Sequence, residues 1–171
     1  MEALLIIDMI NDFLHPKGAL YCGEEVRQII SPLAKHLERF RQDGKPVIYL
    51  CDRHREDDPE FLAFPKHAVA GTWGAEVIEE LIPKEGDFVV PKTRFSGFFR
   101  TNLEEILRDL GVKRVVLTGV CTSICVMDTA ADAFFRDFQI TVISEAVGDF
   151  DQEMHRFALK RMERIYRAEI K

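Results

Sequence analysis

An open, mainly parallel α/β sheet of about six strands, covered by helices on both faces, is the fold class that two features of the sequence predict. Short apolar runs rich in β-branched residues alternate with longer amphipathic stretches. The runs are continuous rather than alternating apolar with polar, which is how strands buried on both faces read. Three layers, α/β/α, follow, with right-handed crossovers between strands. No repeat, low-complexity tract or linker interrupts the 171 residues, so one domain over 1–171 is expected.

The first run, Ala3–Ile7, stops at Asp8, and the second, Pro46–Leu50, stops at Cys51 and Asp52. The third, Asp87–Val90, ends at Pro91 and Lys92, and the fourth, Lys113–Leu117, at Thr118 and Gly119. A fifth spans Gln139–Ile143, and a weak sixth lies near Ile165–Ile170. Helical spacing covers Glu24–Gln42, closed by Asp43-Gly44, a usual stop signal. It recurs at Gly74–Leu81 before Pro83, at Asn102–Leu110 before Gly111, at Ile124–Phe135 and at Glu153–Arg164. Arg53–Thr72 has no clear period and holds two prolines and two histidines, and a long loop in a compact domain is usually functional.

Composition removes several classes of function. Apolar residues make up 47% and charged residues 30%, the balance of a soluble globular protein. A net charge of −6 argues against a nucleic-acid binder and against docking on an acidic membrane, both of which need a basic face. No apolar run reaches the length of a membrane span, and the first run meets Asp8 with no basic leader before it. A cytoplasmic protein is expected. Its cysteines, Cys22, Cys51, Cys121 and Cys125, then read as free thiols, with no pair at zinc-ribbon spacing.

In open parallel sheets ligands bind beyond the carboxyl ends of the strands. Asp8, Asp52, Lys92 and the turn Gly119–Cys125 stand there. Cys125 falls where the fourth strand turns into a helix, and the free amides of a helix start stabilise a thiolate or an oxyanion. Lys92 offers a cation and Asp8 a proton acceptor. Each residue alone has a plainer reading: a small buried cysteine, a helix-capping aspartate, a surface lysine. Their coincidence at one sheet edge is what favours chemistry. Asp52 and His54, two apart at a strand end, can face one cleft, with Glu60 and His67 on the loop that follows. Such a donor set suits zinc, manganese or iron, although acid–histidine pairs on loops are often only solvated surface.

The segments LLIIDMINDF, VPKTRFSGFF and LTGVCTSICVMDTAADAF resemble those of the isochorismatase-like cysteine hydrolases, which include nicotinamidases and pyrazinamidases. The likeness covers nearly the whole chain and implies the isochorismatase-like hydrolase fold. It also implies Cys125 as nucleophile, Asp8 as general acid and base, and Lys92 as the group that stabilises the thiolate. A cis peptide between Val120 and Cys121 is implied too, with the backbone amides of Cys121 and Cys125 forming the oxyanion hole. Cys121 would then contribute backbone, its thiol an inert filler. The segment LCDRHREDDPEFLAFPKHAVAGTWGAE resembles the metal loop of nicotinamidases. That likeness implies one divalent ion, zinc before manganese or iron, held by Asp52, His54 and His67, with Glu60 at a frequent fourth position. Isochorismatases proper lack this set.

What the resemblance implies is cleavage of nicotinamide to nicotinate and ammonia through a thioester. Phe13 and Phe64 match the ring-sandwiching positions and Phe95 lies just past Lys92, although 13 phenylalanines make ordinary core the simplest reading of each. Lys66, Ala68 and Ser123 depart from common family residues, which leaves the substrate more open than the mechanism. The alternatives are a relative acting on another small amide, carbamoyl or vinyl-ether substrate, and a non-catalytic metal- or ligand-binding protein on the same fold. A thiol redox role is disfavoured by the spacing of Cys121 and Cys125, which is not Cys-x-x-Cys. The expected partner is a small-molecule substrate; a homo-oligomer is compatible with the sequence. His15, His36 and His155 read as surface residues.

Overall fold

The computed structural model describes all 171 residues. Strand β1 (Glu2–Ile7) is followed by a short helix α1 (Asn11–Leu14), helix α2 (Ile30–Gln42) and strand β2 (Val47–Asp52). Strand β3 (Phe88–Lys92), helix α3 (Leu103–Asp109), strand β4 (Arg114–Val120) and helix α4 (Met127–Phe135) come next. Strand β5 (Gln139–Gly148), helix α5 (Gln152–Ile165) and strand β6 (Glu169–Ile170) complete the chain. All six strands are parallel, in the order β3-β2-β1-β4-β5-β6.

The continuous apolar runs follow from packing on both faces. In β1, Ala3, Leu5 and Ile7 join a core with Leu103 and Leu107 of α3, Ala130 and Ala133 of α4, and Ala158 and Met162 of α5. Leu4 and Ile6 point the other way, into a core with Leu33, Leu37 and Phe40 of α2. Burying such side chains contributes about 1.5–3 kcal/mol each, so register is fixed strongly on both sides.

Several elements differ from the sequence reading, each for a local reason. Gly74–Leu81 is not an α-helix: single 3₁₀ turns at Trp73–Ala75 and Glu79–Leu81 flank an extended stretch. That stretch pairs with the chain after β1, where Asn11 N–H donates to Glu76 O and Ile78 N–H to Met9 O. The Glu24–Gln42 pattern splits into a 3₁₀ turn, Val26–Ile29, and α2. Pro32 explains the split: lacking an N–H, it fits the first turn of α2 but could not continue a helix begun at Glu24. The last strand holds only Glu169–Ile170, because Ile165 closes α5, and β5 runs on to Gly148. The start of the Ile124–Phe135 pattern is a π-helical turn, Thr122–Val126, before α4.

The sheet register carries the site. β1 pairs with β2 and β4 so that Ile7 lies beside Leu50 and Gly119, and β2 pairs with β3 so that Asp52 lies beside Lys92. Gly119 has φ +104°, and a Cβ there would lie 2.0 Å from Ile7 O. Gly119→Ala is therefore expected to cost about 2–4 kcal/mol, read as a lower urea midpoint at unchanged m-value. An unchanged midpoint would contradict the close approach of β1 and β4.

Candidate active site

Three strand ends bring together an acid, a lysine and a second acid in direct contact. Lys92 Nζ lies 2.7 Å from Asp8 Oδ2 and 2.6 Å from Asp52 Oδ1, with all three side chains at most 4% exposed. Asp8 has φ +52°, an unusual conformation for a non-glycine residue, and its Oδ1 accepts the Asp52 amide at 2.9 Å. Lys92 Nζ is also 3.6 Å from Cys125 Sγ and 3.2 Å from Arg94 O. The Asp8 and Asp52 carboxylates and Cys125 Sγ all lie within 4.8 Å of one another.

The charges in this cluster are settled by competition between burial and neighbours. Burial opposes the charge on Lys92, yet Asp52 and Asp8 hold its ammonium well above the ordinary lysine value. Burial, then the charge of Asp52, push the Asp8 carboxyl up to about 6, against the pull of Lys92. Burial also acts on Asp52, but Lys92 and His54 keep it below the ordinary carboxylate value. The Cys125 thiol is raised well above a free cysteine, first by burial, with Lys92 pulling the other way and Asp8 pushing with burial. The resting sulfur is therefore protonated. Asp8 Oδ2 forms an ion pair with Lys92 without an aligned hydrogen bond, which leaves that oxygen able to take a proton.

Cys125 sits on the π-helical turn that follows the cis peptide between Val120 and Cys121. Within this turn Cys121 O accepts the amides of Ile124 at 3.1 Å and Val126 at 3.2 Å. The Cys121 thiol faces Cys22, with 3.6 Å between sulfurs.

Asp52, His54, Glu60 and His67 form a second cluster, with donor atoms all within 4.8 Å of one another. His54 Nε2 is 3.7 Å from Asp52 Oδ2 and 3.8 Å from Glu60 Oε1, and His67 Nε2 is 3.9 Å from Glu60 Oε1. Two observations fit this set to a cation. His54 Nε2 and Glu60 Oε2 are buried without hydrogen-bond partners, a costly state for polar atoms. Burial and the charge of Asp52 also push the Glu60 carboxyl up, a like-charge crowding that a divalent ion would relieve. The outer nitrogens are tied back, as ligating histidines require. His54 Nδ1 is 3.2 Å from Asp58 Oδ2, and His67 Nδ1 is 2.7 Å from Pro65 O. This leaves both Nε2 atoms facing the cluster.

Between the two clusters lies a cavity of about 400 Å³, lined by Asp52, Glu60 and His67 on one side and by Cys121 and Cys125 on the other. Phe13, Phe64 and Phe95 form apolar walls, with Phe64 and Phe95 edge-to-face at 6.1 Å. Leu20, Cys22, Ile124 and Phe150 add to the lining.

Other supporting residues carry weaker sequence signals. Asp58, before Pro59, reads as a cap; it accepts the Glu60 amide at 2.9 Å while also holding His54 and, at 3.0 Å, Arg94. Asp12 joins the two rims of the cavity, accepting Ala19 N–H at 2.9 Å and Ala68 N–H at 2.7 Å. Ala68 itself has φ +46°. The histidines read as surface residues are each half-buried. His15 packs edge-on against Trp73, His36 is 3.3 Å from Glu145, and His155 Nδ1 is 2.9 Å from Thr122 Oγ1.

Parallel strands with helices on both faces, and a buried acid, lysine and thiol gathered at the strand ends, define an α/β protein with an enzyme-like site. The chain belongs to the isochorismatase family, whose domain profile matches residues 2–169. Among solved structures it is similar to the N-carbamoylsarcosine amidase of Thermoplasma acidophilum, with 40% identity, TM-score 0.91, and 99% of this chain and 95% of that one covered. The nicotinamidase/pyrazinamidase of Bacillus subtilis is 37% identical, with TM-score 0.95 and coverage of 99% and 98%. The pyrazinamidase of Pyrococcus horikoshii, solved in complex with zinc, is 33% identical, with TM-score 0.93 and coverage of 99% and 98%. A curated relative from Arabidopsis thaliana, named a probable inactive nicotinamidase, is 35% identical over 90% of this chain and 83% of its own. No helix is long and apolar enough to cross a membrane.

The four-donor cluster predicts one equivalent of zinc bound in calorimetry. His54→Ala should abolish that binding, and Asp58→Asn should weaken it about 10–100-fold by freeing the His54 ring. Equal affinity in all three proteins would contradict the assignment.

Proposed function

We propose that this hydrolase is a metal-containing amidase that cleaves nicotinamide to nicotinate and ammonia through a thioester on Cys125. One observation carries the reading: a buried thiol with its own acid and lysine shares a cavity with a cluster of two carboxylates and two histidines, in which His54 Nε2 and Glu60 Oε2 lack hydrogen-bond partners. Nicotinamide is a flat ring with a basic nitrogen near one end and an amide at the other. The phenylalanines suit the ring faces, and the two polar ends of the cavity suit the two functional groups.

Asp52, His54, Glu60 and His67 would hold a divalent ion, which supplies a Lewis-acid docking point for the ring nitrogen. The remaining work falls to the chain's own groups. Asp8 takes the Cys125 proton as the sulfur attacks the amide carbon, and Lys92 stabilises the charge on sulfur. The amides of Cys121 and Cys125 hold the oxyanion. As the carbon–nitrogen bond breaks, Asp8 returns the proton to the nitrogen and ammonia leaves. Asp8 then takes a proton from water, hydroxide adds to the thioester, and the carbon–sulfur bond breaks. The sulfur regains its proton from Asp8, the new carboxyl gives up its own proton to solvent, and nicotinate departs.

The 40% identity to an N-carbamoylsarcosine amidase favours a second reading, an N-carbamoyl substrate on the same residues. Ammonia release from nicotinamide and from N-carbamoylsarcosine, with and without a chelator, separates the two. Nicotinamide should be the better substrate by kcat/KM and chelator-sensitive; preference for the carbamoyl compound would replace the substrate assignment. Cys125→Ala should lower kcat by roughly 10⁴-fold or more at an unchanged circular dichroism spectrum. Retained turnover in that variant would remove covalent catalysis, and a silent wild type on both substrates would favour a non-catalytic binding role.

A further inference from the structure

The turn that carries Cys125 is gripped from behind by residues outside the reacting cluster. Asp149 lies one residue beyond β5 and is 1% exposed. Its Oδ2 accepts the Ser123 amide at 2.7 Å and its Oδ1 accepts the Asp151 amide at 3.1 Å. No lysine or arginine pairs with this carboxylate, so only backbone amides compensate its burial. Two residues of the same π-helical turn are thereby tied to the α5 layer, since Thr122 Oγ1 also meets His155 Nδ1 at 2.9 Å. A buried carboxylate without a cation is costly, and a purely packing role would be met by an uncharged side chain.

The backbone explains what the grip achieves. The turn closes on itself through Cys121 O, which takes both the Ile124 and the Val126 amides, and through Thr122 O and Ile124 O, which take that of Met127. The amide of Ser123 looks outward, and its only acceptor is Asp149. Holding that amide fixes the peptide plane two residues before Cys125, at the point where β5 has departed from regular pairing. β4 and β5 pair through Leu117 and Val142, and next through Gly119 and Val147, so β5 carries extra residues that deliver Asp149 under the turn.

We propose that Asp149 is a positioning residue for the nucleophile. Through the Ser123 amide it sets the aim of Cys125 Sγ and of the backbone amides beside it, and His155 seconds it through Thr122. This rests on the cysteine-hydrolase reading of the site, but its test does not depend on the substrate. Misplacing a reacting atom by about an ångström costs roughly 10²-fold in rate without loss of binding contacts.

The test compares wild type, Asp149→Ala, Asp149→Asn and His155→Ala by two measurements. One is the alkylation rate of Cys125 by iodoacetamide, mapped by mass spectrometry; the other is kcat and KM for ammonia release. Asp149→Ala should lower kcat by roughly 10–10²-fold with KM within about twofold, and should change the Cys125 alkylation rate. Asp149→Asn, which keeps an acceptor for the Ser123 amide, should recover most of the loss, and His155→Ala should have a smaller effect. If Asp149→Ala does not fold, the other two variants decide: a folded Asp149→Asn more than about 10-fold below wild type in kcat, or a His155→Ala with wild-type kcat and alkylation rate, would each overturn the idea. Unchanged alkylation and kcat in a folded Asp149→Ala would overturn it as well. Should no protein release ammonia from any amide, the hydrolase reading fails while the alkylation rates still judge the positioning role.

Discussion

One buried ammonium organises this protein. Lys92 stands between two carboxylates, at 2.7 and 2.6 Å, where neither it nor they reach water. Removing three charges from water is expensive, and any one of them left alone would be more so. The trio persists because neighbouring strands deliver it: the β2–β3 register sets Lys92 beside Asp52, and Asp8 follows β1, its amide bonded to Leu50 O at 2.8 Å. The reactivity of the thiol depends on the same arrangement. Burial favours a protonated sulfur, and Lys92 is the group that offsets this.

Asp52 joins the two halves of the site. One oxygen holds Lys92 and the other faces His54, while its amide supports Asp8. The donor cluster and the thiol are therefore not independent features that happen to share a cavity. The site carries more carboxylate than cation: Asp8, Asp52, Asp58 and Glu60 face Lys92 and Arg94, the latter 3.6 Å from Glu60 Oε2. That imbalance and the orphaned His54 nitrogen are what a divalent ion would correct.

Much of this was legible in the sequence because parallel sheets put chemistry at strand ends. Asp8, Asp52, Lys92 and the Cys121–Cys125 turn follow apolar runs that read as strands, those of β1, β2 and β4 buried and that of β3 largely exposed at the sheet edge. Less legible was anything that depends on pairing between distant segments. Glu76–Ile78 has helical spacing, yet its backbone bonds to the chain after β1. Asp12 and Asp149 look like loop aspartates, and only the tertiary fold reveals that each takes two backbone amides. The π-helical turn at Thr122–Val126 replaces the α-helical start that spacing suggests, because the chain must first round the Cys121 carbonyl that gathers its amides.

The account centres on sulfur at residue 125 becoming bonded to the acyl group of the substrate. Acid quenching of the zinc-loaded enzyme during turnover of nicotinamide, followed by peptide mass spectrometry, tests this most directly. A nicotinoyl group on the peptide that carries Cys125, absent from Cys125→Ser, is the result predicted. Continued ammonia release with no acyl group on that peptide, or with one attached to another residue, would contradict it.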